Sequence, residues 1–74
     1  MKLTYAAARI NAGLTQAEVA EKLGISVGTL SSWENYRLFP TIVKFTELAD
    51  IYGVSVGDLI FLPRASTQSG QKEG

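Results

Sequence analysis

Apolar residues recur along most of this chain at the three- and four-residue spacing of an α-helix, and no stretch alternates as a β-strand would. The first such stripe predicts a helix over about Leu3 to Ala12 that stops near Gly13. Its apolar positions, which we expect to face the core, are Leu3, Ala7, Ile10 and Leu14.

Capping residues mark the next two helices. Thr15 and Glu18 have the spacing of a capping box, in which each side chain bonds the other residue's backbone amide. Gly24 can end the second helix in the left-handed conformation, and Ser26 is a good N-cap for a third helix to about Glu34. The predicted inward residues of this pair are Val19, Ala20, Leu23, Leu30 and Trp33. The predicted outward residues of the third helix are Val27, Gly28, Ser31 and Ser32.

A fourth helix is predicted after a loop at 35–39. Pro40 and Thr41 favour its start, and Gly53 favours its end. The apolar face of this helix comprises Ile42, Phe45, Leu48, Ala49 and Tyr52.

A short fifth helix is predicted from another apparent capping box at Ser55 and Asp58, and it should run through Leu59 and Ile60. We therefore predict an all-α, five-helix domain over residues 1–62. Residues 63–74, which are rich in Ser, Gln and Gly, are predicted to be a flexible tail.

Composition narrows the possible chemistry. The chain has no cysteine and no histidine, so disulfides, Cys or His metal sites, thiol nucleophiles and imidazole bases are excluded. Its seven carboxylates are scattered, and its hydroxyls have no histidine partner. We expect no enzymatic activity, no metal, no cofactor and no small-molecule substrate.

Charge and hydropathy bear on partners and location. No apolar run approaches the roughly 18 residues of a membrane span, and the start lacks the pattern of a signal peptide, so we expect a cytoplasmic protein. The net charge of zero counts mildly against a nucleic-acid ligand. A few bases on one face, together with helix N-termini, can nevertheless hold a phosphate backbone.

The helix pair around Gly24 carries the functional signal. Its short, glycine-containing turn and the apolar positions on both sides favour a helix-turn-helix unit, in which the second helix enters the major groove of DNA. The alternative is an ordinary helical hairpin with a glycine turn.

The sequence resembles the phage lambda repressor/Cro-like (XRE-type) helix-turn-helix proteins. The resemblance covers about Leu3 to Leu62. It is carried by GLTQAEVAEKLGIS at 13–26, LSSWEN at 30–35, Pro40-Thr41, YGVS at 52–55 and Asp58-Leu59. It implies a five-helix regulator of transcription that binds double-stranded operator DNA, commonly as a homodimer. Closely similar short proteins occur in phages and prophages of Gram-positive bacteria.

The resemblance also implies roles for individual residues. Gln16 matches a glutamine that contacts DNA phosphate, and the outward face of the third helix matches the surface that meets the bases. Asn35 and Arg37 match a loop that meets the sugar-phosphate backbone. The full set of predicted DNA-binding residues is Gln16, Ser26, Val27, Gly28, Thr29, Ser31, Ser32, Asn35 and Arg37.

Three positions depart from the family pattern. Val27 and Gly28 stand where many relatives carry side chains that pair with base edges, so apolar contact with thymine methyl groups is expected instead. Gly28 is open to two interpretations: close approach to DNA, or weak specificity. Tyr36 replaces a frequent glycine, and Asn35 is an alternative candidate for the left-handed position.

Two contacts and one alternative function complete the predictions. Arg9 and Glu34 should form a partly buried ion pair, as the matching positions do in some relatives. The predicted dimer surface lies near helices 4 and 5 and comprises Val56, Ile60, Phe61 and Leu62. Alternatively, Leu59 and Phe61 simply close the monomer core. The alternative function is an antitoxin-like or regulatory module that binds a protein partner.

Overall fold

Four α-helices and a 3₁₀ turn make up residues 2–62, the part of the chain that the computed structural model describes. The helices are α1 (Tyr5–Asn11), α2 (Gln16–Leu23), α3 (Val27–Glu34) and α4 (Ile42–Tyr52), and the turn is Val56–Asp58. The tail predicted over 63–74 lies outside the described residues. No helix in the described range is long and apolar enough to cross a membrane.

Every one of these helices begins at a threonine or serine that caps it. The side-chain oxygens of Thr4, Thr15, Ser26 and Thr41 each accept the backbone amide three residues further on, at 3.1 to 3.2 Å. At α2 the cap is reciprocal, as predicted, because the Thr15 amide donates to Glu18 Oε1 at 2.8 Å. These bonds from Thr15 lower the pKa of the Glu18 carboxyl. Each cap stabilises its helix by about 1 kcal/mol.

The predicted stops of α2 and α4 are confirmed. Gly24 and Gly53 both take the left-handed conformation, with φ of 71°. The amide of the following residue, Ile25 or Val54, then bonds back into the last turn of the helix at 3.0 Å. These glycines let the chain reverse without the steric cost that a Cβ would bring.

The core is built from the facing sides of all four helices. α1 packs against α3 and α4, and α2 packs against the same two helices. The inward residues predicted for α2 and α3 are all buried. The buried set is Tyr5, Ala8, Val19, Ala20, Leu23, Leu30, Trp33, Phe45, Leu48, Ala49, Tyr52 and Leu59.

The prediction for α1 was wrong in its start and its buried face. The helix begins at Tyr5, because Thr4 caps it, and Leu3 lies outside it in extended backbone. Leu3 and Leu14, the two ends of the predicted stripe, are half-buried and pack against the core, but the middle of the stripe does not mark the buried face. Tyr5 and Ala8 are buried, whereas Ile10 is 65 % exposed.

Ile42 was wrongly placed in the core face of α4. It is the first residue of the helix and is 70 % exposed, one turn before Phe45, where burial begins. The other four predicted face residues are buried. A stripe at the end of a helix is covered only where a neighbouring element extends that far.

The predicted fifth helix is replaced by the single 3₁₀ turn at Val56–Asp58. Ser55 Oγ bonds the Asp58 carboxylate at 3.0 Å and makes no cap bond to a backbone amide, so the expected capping box does not form. Leu59 is extended and pairs with Leu3 in a parallel bridge. The Leu3 amide donates to the Asp58 carbonyl at 2.7 Å, and the Ile60 amide donates to the Leu3 carbonyl at 2.8 Å. Backbone pairing with the distant residue Leu3 therefore prevents the helix that the sequence predicts at 59–60.

Candidate nucleic-acid interface

The unit formed by α2 and α3 has the predicted short turn. Three residues, Gly24, Ile25 and Ser26, separate the two helices. The left-handed Gly24 reverses the chain, Ile25 packs against the core, and Ser26 caps α3. Because Leu30 and Trp33 are buried in the core, the opposite side of α3 faces outward.

The outward side of α3 carries only small side chains. At 3.6 residues per turn, Gly28 and Asn35 lie at its centre, opposite the buried Leu30 and Trp33. Both residues are exposed. The same spacing puts Ser31 and Ser32 beside this centre line, with Val27 and Thr29 at the margins. Such a surface lets the helix backbone itself approach a ligand closely.

Several polar groups on this helix already have partners within it. Ser26 Oγ accepts the Thr29 amide at 3.1 Å and bonds Thr29 Oγ1 at 3.0 Å. Asn35 Nδ2 donates to the Ser31 carbonyl at 2.9 Å. Val27 is 43 % exposed and presents methyl groups. The free chemistry of the surface is therefore largely apolar contact, with hydroxyls as secondary donors.

The predicted ion pair between Arg9 and Glu34 is confirmed. Arg9 Nε lies 2.6 Å from Glu34 Oε2, and the exposed fractions of the two side chains are 15 % and 7 %. Arg9 also donates to the Leu14 carbonyl at 3.0 Å. The hydrogen bond with Glu34 raises the pKa of the Arg9 guanidinium. The pair ties α1 to the end of α3.

Gln16 joins this pair, which the sequence did not predict. Its Nε2 donates to Glu34 Oε1 at 2.9 Å, so the first residue of α2 is bonded to the last residue of α3. The sequence predicts Gln16 only as a phosphate contact and Glu34 only as the partner of Arg9, and it does not connect the two residues. Their 18-residue separation gives no periodic pattern.

The loop after α3 is set by Tyr36. Tyr36, not Asn35, takes the left-handed position, with φ of 57°. Its ring stacks on Tyr5 with centroids 5.2 Å apart, and its hydroxyl donates to the Ile60 carbonyl at 2.8 Å. Burial raises the pKa of the Tyr36 hydroxyl. Arg37 follows, exposed, with its amide bonded to the Ser32 carbonyl at 2.9 Å.

The nine predicted DNA-binding residues include one charged side chain, that of Arg37. Glu18 and Glu21 are exposed on the neighbouring helix α2. Lys22 is also exposed on α2, so this helix presents charges of both signs.

A second surface lies on the segment that follows the 3₁₀ turn. An open cavity of about 450 Å³ is lined mainly by apolar residues. The lining comprises Lys2, Phe45, Val56, Gly57, Leu59, Ile60, Phe61 and Leu62. Leu59 is buried and Phe61 packs against the core, as the alternative interpretation required, but Val56 and Leu62 are each 49 % exposed. The patch therefore includes exposed apolar residues that are not needed to close the monomer core.

Comparisons with known proteins agree with this architecture. A family model described as helix-turn-helix matches residues 6–59. The chain is also 43 % identical over 56 residues to an uncharacterized HTH-type transcriptional regulator, y4dJ, of Sinorhizobium fredii, and the match spans 76 % of this chain and 73 % of that protein. No solved structure matches significantly. The family match spans both helices of the α2–α3 unit and most of the buried residues that support them, and the chain belongs to the helix-turn-helix family.

Proposed function

We propose that this chain is a sequence-specific transcriptional regulator that binds double-stranded DNA with α3 in the major groove. The observation that carries the proposal is the outward face of α3, which is exposed at its centre, half-buried at Ser31 and Ser32, and free of long side chains. A major groove about 12 Å wide admits an α-helix. Gln16 bonds the last residue of α3, Arg37 follows α3 in the loop, and both side chains are suited to phosphate contacts.

Base recognition in this proposal depends on close fit. Gly28 allows the α3 backbone to approach the bases, and Val27 touches thymine methyl groups at the margin. Thr29, Ser31 or Ser32 then donates to a base edge or a phosphate. The expected operator contains a thymine at a fixed position in each half-site.

The proposed assembly on DNA is a two-fold dimer. One α3 helix with one flanking arginine gives weak binding, and a second copy on an inverted repeat multiplies the affinity without new chemistry. The half-sites should lie about 10 base pairs apart. The exposed apolar surface at Val56 and Leu62 is the proposed contact between copies.

A repressor of the phage or prophage type is the specific regulator that we propose, on the strength of the sequence resemblance. Such a protein acts by occupying its operator, so its residence on DNA is the regulatory event. A reporter gene placed behind a selected operator should lose expression when the chain is supplied. An increase in expression would contradict repression while leaving DNA binding intact.

Selection of bound sequences from random duplex DNA tests the main proposal. We expect an enriched inverted repeat, and Val27→Ala should alter the preference at the thymine position. An unchanged preference would remove Val27 as a recognition residue. The absence of any enriched sequence and of salt-dependent retention on DNA would refute the function and favour the protein-binding module.

Sedimentation on a selected duplex tests the dimer. The wild type should load two protomers per duplex, and Val56→Asp should weaken loading by placing a charge in the apolar contact. Ile10→Asp is the matched control, because Ile10 is also an exposed apolar residue but lies on α1. One protomer per specific site, with no inverted repeat, would refute the dimer.

A further inference from the structure

We infer that Glu34 is a positioning residue that holds the Gln16 side chain ready for a phosphate contact. The inference rests on the proposed function, since it concerns how a residue at that interface is prepared. Its starting point is the three-membered network of Arg9, Glu34 and Gln16, which joins three helices at the edge of α3.

The two carboxylate oxygens of Glu34 accept hydrogen bonds from different sets of donors. Oε2 accepts Arg9 Nε at 2.6 Å, while Oε1 accepts Arg9 Nη2 at 3.3 Å and Gln16 Nε2 at 2.9 Å. Since the Glu34 side chain is only 7 % exposed, surrounding atoms fix the carboxylate. Gln16 therefore bonds to a rigid acceptor, whereas a glutamine on an open surface would sample many rotamers.

The geometry leaves Gln16 with capacity for a second bond. A glutamine amide nitrogen carries two N–H donors, and Glu34 occupies one of them. The other donor remains for a phosphate oxygen, because Gln16 is only half-buried. A side chain held in one rotamer before binding loses less conformational entropy when it meets its ligand.

Arg9 makes this arrangement compatible with DNA. An unpaired carboxylate bonded to Gln16 would repel an approaching phosphate. The guanidinium, 2.6 Å from Glu34, cancels that charge locally while leaving Oε1 able to accept from Gln16. The ion pair thus acts on DNA binding indirectly, through the orientation of Gln16.

A double-mutant cycle between residues 34 and 16 tests the inference. Glu34→Asp withdraws the carboxylate by one methylene. This movement lengthens the bond to Gln16, and urea unfolding reports any loss that comes from the pairing with Arg9. We expect Glu34→Asp to weaken binding to the selected duplex by about three- to tenfold in the wild type, the range that corresponds to immobilising one flexible side chain on binding. In a Gln16→Ala background it should cost almost nothing.

Glu47→Asp is the matched control. Glu47 is also paired with a cation, Lys44, at 3.5 Å, but neither residue bonds Gln16. Urea unfolding checks that each variant is folded. An equal loss from Glu34→Asp in both backgrounds would mean that Glu34 acts only through the fold. Tighter binding by Glu34→Asp would mean that it withholds Gln16 from DNA. Either result overturns the inference.

NMR of the free protein separates this inference from the proposed function. The two side-chain amide protons of Gln16 should be well dispersed in the wild type and should collapse toward unbonded values in Glu34→Asp. Values that never differ from those of an exposed glutamine would refute the positioning even if DNA binds. A chain that shows the dispersion but binds no duplex would refute the proposed function alone.

Discussion

Replacing Gly28 with alanine should stabilise the free domain and weaken its complex with DNA. Glycine in a helix interior costs about 0.8–1 kcal/mol relative to alanine. A Cβ at position 28 would meet only Ser26 Oγ, at 3.8 Å, which is an ordinary contact. Since residue 28 lies in the first turn of α3, we expect a gain of about 0.5–1 kcal/mol. For a domain of this size the melting temperature should rise by about 2–8 °C.

The same methyl group should obstruct DNA, because Gly28 lies at the centre of the outward side of α3. An added methyl in a close-packed contact costs about 1–3 kcal/mol, which corresponds to about 5- to 150-fold in affinity. Thermal melting and fluorescence anisotropy on one selected duplex measure the two effects separately. A variant that is more stable yet binds less tightly cannot owe its lost affinity to unfolding.

Thr46→Ala provides the control for stabilisation alone. Thr46 is exposed on α4, and its hydroxyl bonds back to the Ile42 carbonyl at 2.9 Å, a bond that slightly disfavours the helix. This variant should also be more stable, but its affinity should not change. If Gly28→Ala is stabilised and binds as tightly as the wild type, the close approach at Gly28 is refuted. If it is destabilised, the argument from helix propensity is wrong.

Three further predictions follow from other contacts. Arg9→Met should lower the free energy of unfolding in urea by about 3 kcal/mol, because it leaves the Glu34 carboxylate buried without its cation. The double variant Arg9→Met with Glu34→Leu should recover most of that loss. A double variant as unstable as the sum of the single variants would contradict this. The Tyr52 hydroxyl is buried and no residue in 2–62 bonds it, so Tyr52→Phe should leave the stability unchanged or raise it. Tyr36→Phe should instead lower the free energy of unfolding by about 1 kcal/mol, because it removes the bond to the Ile60 carbonyl. Equal losses from the two variants would refute the distinction. Arg37→Gln should reduce the slope of log affinity against log salt by about 1 per bound protomer, and an unchanged slope would exclude Arg37 from phosphate contact.

The features that the sequence predicted correctly depend on near neighbours. A cap requires a hydroxyl and an amide three residues apart, and the stops at Gly24 and Gly53 require only a left-handed residue. The buried faces of α2 and α3 follow from helical spacing within one element. These local rules suffice for the helix-turn-helix unit, because its turn has only three residues.

The errors occurred where distant segments decide the outcome. Leu3 looks like the start of a helical stripe, but it pairs with Leu59, which is 56 positions away. This pairing keeps Leu3 outside α1, which begins after its Thr4 cap, and it prevents a helix at 59–60. The exposure of Ile42 also depends on the absence of a covering element among residues 2–62, which periodicity cannot reveal.

The same distinction between local patterns and distant contacts applies to the residues of the candidate site. The outward residues of α3 could be predicted from the spacing of Leu30 and Trp33 alone. Family resemblance supplied the ion pair of Arg9 and Glu34, which no local pattern indicates. The bond from Gln16 to Glu34 depends on how three helices meet, so only the three-dimensional arrangement reveals it.

Tyr36 shows why an unusual residue at a turn need not weaken it. The left-handed conformation costs a non-glycine residue about 1–2 kcal/mol. Stacking on Tyr5 returns about 0.5–1.5 kcal/mol, and the bond to the Ile60 carbonyl returns about 1 kcal/mol, so the strain is offset. A glycine would avoid the strain but could make neither contact. Because of Tyr36, the loop that carries Arg37 is fastened to the segment that carries the proposed dimer surface. Tyr36 therefore links the loop proposed for phosphate contact to the segment proposed for contact between copies.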